Sequence, residues 1–380
     1  MPHQPANVYD RFRDPNAARA LLEQVRALAG ALPPTPDGRY QLMEVCGTHT
    51  HAIARLGLRE LLPPVVRLLS GPGCPVCVTP TGDVDLAIEL AGHREVVLAT
   101  FGDMMRVPGS ERTLAEARAQ GGRVEVVYSP MAALDLAAAE PEAQVVFLGV
   151  GFETTAPAVA GTVLVARERQ VPNFSVLCCH KVIPPAMEAL LADADGGPAR
   201  VRLHGFLCPG HVSAVIGAAA YAPIAARFGI PCVVAGFEPL DILRAVHALL
   251  RQLAEGRAEV ENAYERTVRW EGNPKARAAV ERVFEVGESE WRGIGAIPAS
   301  GLQFRAQYAA LDAAERFALE RRPGRDHAAC HCGEVLRGLI DPPECRAFAK
   351  ACTPDRPLGP CMVSSEGACA AWYKHPALAR

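Results

Sequence analysis

The sequence predicts an α/β protein: two tandem parallel-sheet domains, then a helix-patterned connector and a loop-rich, cysteine-rich C-terminal region. Three observations predict this. Apolar runs of four to six residues recur between residues 40 and 250, separated by helical stretches, which is the texture of strands covered on both faces. Each run ends in a cluster of Gly, Pro, Cys, Thr or His, and the carboxyl ends of parallel strands are where an open sheet carries its site. Six of the thirteen cysteines fall between Cys330 and Cys369.

At 380 residues the chain exceeds what one hydrophobic core usually supports, so two or three domains are expected. A hydrophobic content of 49% suits a packed soluble protein, and a net charge of −3 without long charged runs gives no footprint for nucleic acid or an anionic membrane. Neither is expected as a partner. No apolar run reaches the roughly 18 residues of a membrane span, and MPHQPANVYDRFRDP lacks the order of a signal peptide. A cytoplasmic location is expected, where cysteines point to metal ligation or redox work rather than a disulfide framework.

Residues 1–39 hold an amphipathic helix over 15–30, ended by Gly30, and the linker ALPPTPDGRY; this segment is expected to pack with the C-terminal part. The first α/β domain, 40–140, carries the runs 65–77, 96–109 and 124–137. The second, 141–250, carries 145–157, 174–187, 201–217 and 231–250. Residues 251–380 read as a charged helical connector, interrupted at IGAIPASGL, a short helix LDAAERFAL, and then the cysteine region.

In EVCGTHTH a thiol, two hydroxyls and two imidazoles fall within six residues beside Gly47, which lets backbone approach a ligand. Cys46 reads as a soft thiolate ligand or nucleophile, assisted by His49 or His51; the bland alternative is a buried thiol near a cap formed by Thr48. In GPGCPVCVTPTGD, Cys74 and Cys77 form a C-x-x-C pair after a predicted strand, where Pro75 stiffens the loop and a helix N-terminus favours thiolate. Reversible dithiol chemistry is the better reading there, because a zinc half-site lacks a second C-x-x-C.

At the C-terminus, taking Cys330, Cys345, Cys352 and Cys369 as four thiolate ligands leaves Cys332 and Cys361 free, which suits a 4Fe-4S cluster beside a dithiol. Spacing alone neither chooses between Cys330 and Cys332 nor excludes zinc. Asp103, Arg106, Glu153, Thr154, Thr155, His180, Lys181 and His211 each stand at a strand end; singly they read as satisfied polar groups, together as donors lining a cleft. Cys178, Cys179, Cys208 and Cys232 sit in apolar strands and read as core.

CGTHTH, GPGCPVCVTP, FGDMMRVPG, GFETTAP, HGFLCPGHVSAVIG, GFEPLDIL and CMVSSEGACAA, in this order, resemble the HypD family of hydrogenase maturation (formation) proteins over nearly the whole chain. The resemblance implies a factor that assembles the Fe(CN)2CO group of NiFe hydrogenases, in complex with the chaperone HypC and supplied with cyanide by HypE and HypF. It implies two α/β domains facing a cleft and a C-terminal, mainly α and loop, domain with a 4Fe-4S cluster on Cys330, Cys345, Cys352 and Cys369, with Cys332 and Cys361 as the neighbouring redox pair and Cys74 and Cys77 as a second one. Cys46 is then expected to hold iron in the cleft, with Thr48, His49, Glu153, Thr154 and Thr155 around bound cyanide. Such a protein is an assembly scaffold with redox activity rather than a classical turnover enzyme. The rival is a stand-alone iron–sulfur thiol–disulfide oxidoreductase; a zinc-stabilised binding module is the third reading.

Overall fold

Nine short strands pair in parallel into two separate sheets in the computed structural model, which describes residues 9–192 and 201–376. The chain lays down β1 (Tyr40–Glu44) and β2 (Val66–Ser70), then leaves to build a second sheet from β3 (Val96–Thr100), β4 (Val124–Val126), β5 (Gln144–Gly149) and β6 (Phe174–Cys178). It returns with β7 (Gly205–Pro209), β8 (Cys232–Ala235) and β9 (Val260–Asn262). The first sheet runs β2-β1-β7-β8-β9 and the second β4-β3-β5-β6.

Apolar residues fill the registers, Leu42 beside Leu68 and Gly205 in the first sheet, Ala99 beside Phe147 beside Val176 in the second. That pattern follows from helices on both faces of each sheet, which leave no strand face for water.

The expected division at residue 140 does not coincide with the sheets. β3 and β4 belong with β5 and β6, while β7 to β9 belong with β1 and β2, so the first α/β unit is discontinuous and the second is inserted into it. An apolar run encodes a buried parallel strand without naming its neighbour. The helical connector expected after residue 250 also gives way: β9 closes the edge of the first sheet, and β10 (Phe284–Trp291) pairs antiparallel with β11 (Gly295–Phe304) as a hairpin. Its outward positions carry Glu285, Glu288 and Glu290, and that charge density reads as a solvated helix.

The helix Pro15–Ala31 begins at an Asp14 cap and buries Leu22, Val25 and Ala29. Its apolar stripe meets the helix Pro239–Ala254 and the outer face of the first sheet, not the C-terminal cysteine segment that it was expected to join. Tertiary partners of an amphipathic stripe are not written in its period. The C-terminal segment consists of loops and short helices, and Cys332, Leu336, Cys361 and Val363 merge into the core between the sheets. Arg292 at the hairpin tip secures the junction: its backbone N–H reaches Val78 O at 2.9 Å and its Nε donates to Thr79 O at 2.8 Å.

Leu249 is fully buried in the cluster that joins the first sheet to the helices Pro15–Ala31 and Pro239–Ala254. Leu249→Ala is expected to lower unfolding stability by ~2–5 kcal/mol through lost transfer energy and a cavity. Urea denaturation followed by circular dichroism checks it; a loss of less than about 1 kcal/mol would mean that the site collapses around the gap.

Candidate functional site

In both sheets the strand order reverses beside a central pair, β1 and β7 in the first, β3 and β5 in the second. Loops on the two sides of such a reversal diverge and leave a crevice beyond the carboxyl ends. Here the two crevices meet in one cleft of about 730 Å3. Cys46 and Thr48 enter it after β1, Gly73 and Val76 after β2, and Asp103 after β3. Thr154 and Thr155 follow β5, His211 follows β7, and Ser364 with Glu366 complete the wall from the C-terminal segment.

Cys46 is the extended residue before the helix Gly47–Arg55. The loop after β2 lies so close that a Cβ at Gly73 would collide with Cys46 N, and a Cβ at Gly47 would collide with Glu366. Two glycines thus let the backbone of one segment touch the next. Beneath Cys46 sits Glu44, fully buried, which accepts from Cys46 N at 3.2 Å and from the Thr50 hydroxyl. Burial raises the Glu44 carboxyl to about 7. Burial also pushes the Cys46 thiol up to about 12, with Glu366 and Glu44 adding to the rise and the backbone N–H of His49 opposing it. Left alone, Cys46 is a neutral thiol.

The C-terminal segment is tied to the cleft by two hydrogen bonds. Thr48 Oγ1 donates to Glu366 Oε1 at 2.8 Å, and Ser364 Oγ donates to Asp103 Oδ2 at 3.1 Å. Sequence reasoning missed Ser364 and Glu366 as site residues; CMVSSEGACAA marked a family motif but contained no spacing that pointed back to residue 46.

Several expected residues lie elsewhere. His49 does not line the cleft: its Nε2–H donates to Gly236 O at 2.9 Å and its ring packs 4.8 Å from Phe237. One turn of helix carries it under the floor, and His211, stacked 4.0 Å from Phe237, presents the imidazole instead. Glu153 is buried and accepts from Ile183 N at 3.0 Å; it lines a different cavity, because Thr154 and Thr155 take the cleft side of the turn. His180 stands behind the cleft with Nε2 3.0 Å from Thr155 Oγ1. Lys181 is buried between Ser289 and Asp83, and Arg106 donates to Pro354 O. Cys178, Cys179, Cys208 and Cys232 are all buried in strands or at their ends.

Cys74 and Cys77 form a disulfide at the start of the helix Pro75–Val78, 3% and 0% exposed. The helix Pro360–Val363 packs against that one, and Cys332 and Cys361 belong to the same buried core, their sulfurs 2.6 Å apart. Cys332, Cys361, Cys330, Cys345, Cys352 and Cys369 all line one small cavity. Among the described residues no three His, Cys, Asp or Glu side chains converge to hold a single metal ion; the six thiols are spread around the wall. Their chemistry fits a sulfide-bridged iron cluster, which takes thiolates from several sides. The wall is also cut back for sulfur, since a Cβ at Gly359 would collide with Cys330 Sγ. Hydrogen bonds from Cys330 and Cys361, with Arg292 nearby, hold the Cys332 thiol below its ordinary value.

No helix among the described residues is long and apolar enough to cross a membrane. Residues 16–376 match the family model HypD, described as the hydrogenase formation hypA family. The chain is 53% identical to a hydrogenase expression/formation protein HupD of Azotobacter chroococcum mcd 1, over 96% of each chain. It is 52% identical to the hydrogenase maturation factor HypD of Azotobacter vinelandii, over 96% of each, and 46% identical to that of Escherichia coli K12, over 96% of this chain and 97% of the relative.

Burial, reinforced by Lys181, lowers His180 to about 4, against an ordinary 6.5. The folded state therefore binds this proton less readily than the unfolded chain. The contribution is fully present above pH 6.5 and is lost as the pH falls toward 4. His180→Gln is expected to flatten that fall by about 2 kcal/mol between pH 7 and pH 5, since each tenfold difference in proton affinity between folded and unfolded chain is worth about 1.36 kcal/mol. Paired urea melts of wild type and variant at the two pH values check it, and parallel losses in both would refute the assignment.

Proposed function

The chain belongs to the HypD family, and on that premise we propose that it is a hydrogenase maturation factor whose cleft holds an iron ion at Cys46 while cyanide and CO are attached. The observation that carries this is the convergence of both sheets' carboxyl ends on one buried thiol. The iron is cargo: it is bound, ligated and passed on, shared with a cysteine of the chaperone HypC, with HypE and HypF supplying cyanide.

The residues fit that task. A thiol held neutral by burial gives up its proton when a soft cation takes the proton's place, so metal entry and deprotonation are one event. Cyanide on iron points a partly negative nitrogen outward. Thr154 and His211 offer O–H and N–H donors at the cleft wall to receive it, while the Thr48 and Thr155 hydroxyls already donate to Glu366 Oε1 and Phe152 O. Asp103 and Glu366, each held by a hydroxyl, bring negative charge that favours the cation.

Cys330, Cys345, Cys352 and Cys369 are the residues that would hold a 4Fe-4S cluster, which when bound supplies one-electron reducing power. Cys332 and Cys361 line that cavity and share a buried core with the Cys74–Cys77 disulfide; in an exchange between the two pairs, Cys332 and Cys361 would become the disulfide as Cys74 and Cys77 become thiols, and each turn would draw two electrons, one at a time, from an external one-electron donor by way of the cluster. The near-complete burial of Cys74 and Cys77 speaks against the rival reading, since a diffusible disulfide substrate needs access to an attacking sulfur.

Infrared spectroscopy on the protein isolated with its small chaperone partner is expected to show cyanide and CO stretches that disappear in Cys46→Ala; bands that persist in that variant would end the assignment of Cys46. The same preparation should be brown from iron–sulfur charge transfer, and Cys→Ser at 330, 345, 352 or 369 should each bleach it. Zinc in place of iron on elemental analysis would overturn the cluster. Changing both Cys74 and Cys77 to Ala should leave the colour and slow the appearance of the infrared bands. An unchanged rate would make the second dithiol unnecessary.

A further inference from the structure

Glu153 is an expected cleft residue whose burial the proposed function leaves unused. With Ala156, Val182, Ile216, Val280 and Leu302 it lines a separate cavity of about 480 Å3, a size that suits a small molecule. The wall is apolar except at two places. Glu271, Glu281 and Arg277 stand at the rim, where Arg277 is already engaged, donating to Glu271 O at 3.3 Å and lying 3.7 Å from Glu281. Inside, the Glu153 side chain is 7% exposed; its Oε1 accepts from Ile183 N, and its Oε2 has no hydrogen-bond partner.

A buried carboxylate oxygen without a partner is uncommon enough to need a cause. Burial alone raises this carboxyl to about 7, so a positive charge brought alongside would restore its ionised form. The rim carboxylates add potential of the same sign.

We propose that this cavity binds a small organic cation, a primary ammonium on an apolar body, with the ammonium drawn to the charge of the Glu153 carboxylate at the cavity wall and the body against Val280 and Leu302. The site is distinct from the Cys46 cleft and stands whether or not iron is held there. Val215 lines both cavities and Glu153 directly precedes Thr154 and Thr155, so an occupant touches the back of the cleft wall.

Calorimetric titration of the full chain with benzylammonium, and with benzyl alcohol as its neutral counterpart, tests this. The ammonium is expected to bind roughly tenfold or more tightly, Glu153→Gln to abolish the preference, and Val280→Trp, which fills the cavity, to abolish binding of both probes. Equal affinity for the two probes in the wild type overturns the proposal, as does a preference that survives in Glu153→Gln. If Glu153→Gln fails to fold, the double change Glu271→Gln and Glu281→Gln on the exposed rim decides: a retained preference supports the buried carboxylate, and a lost one assigns the effect to the rim and overturns the site.

Discussion

Two parallel sheets converge at their carboxyl ends, and that convergence places Cys46 and the polar side chains around it. A parallel strand delivers its next loop always at the same edge, so a sheet concentrates the loops that are free to vary. One sheet makes a crevice; two facing each other make a cleft with donors on both walls. The chain crosses from the first sheet after β2 and returns at β7. With two covalent links between the units, the walls are held in register more firmly than a single linker would hold them.

Burial then sets the electrostatics of that cleft. The same removal from water that raises Cys46 to about 12 raises Glu44 to about 7 and also raises Glu366. Hydroxyls hold the two carboxylates of the wall, Ser364 at Asp103 and Thr48 at Glu366. A cation entering this environment meets groups that gain from losing protons, and in a medium of low dielectric that gain is larger than it would be in water. In the proposed site sulfur would select a soft ion, and the low dielectric would strengthen its pairing with the thiolate, while the raised thiol makes the proton its competitor.

The strands were legible because a strand covered on both faces must be apolar throughout, and VVFLG or FSVLC can hardly be anything else. Cys46, Thr48, Thr154 and Thr155 were legible as cleft residues because each follows such a run. Strand order was not: β3 and β7 have the same texture, and only long-range packing assigns one to each sheet. His49 was misplaced because a helix starting at Gly47 turns its third residue away from Cys46, toward Phe237. Glu153 was misplaced for a related reason, since adjacent residues in a tight turn point into different cavities. Glu366 was invisible because its partner Thr48 lies 318 residues away in sequence.

The C-terminal segment explains why the sulfur-lined cavity and the cleft behave as one construction. Cys361 and Cys369 line the cavity, whereas Ser364 and Glu366 between them line the cleft. Ser364 is three steps along the chain from Cys361, and even a fully extended chain spans at most ~3.6 Å per residue, so their Cα atoms lie within about 11 Å. No flexible linker intervenes. Ser364 is fixed to Asp103 and Glu366 to Thr48, so the position of Cys361 is tied to the loops that carry Cys46. A segment threaded through both walls makes distance part of the fold: the backbone that holds the six thiols also builds the cleft.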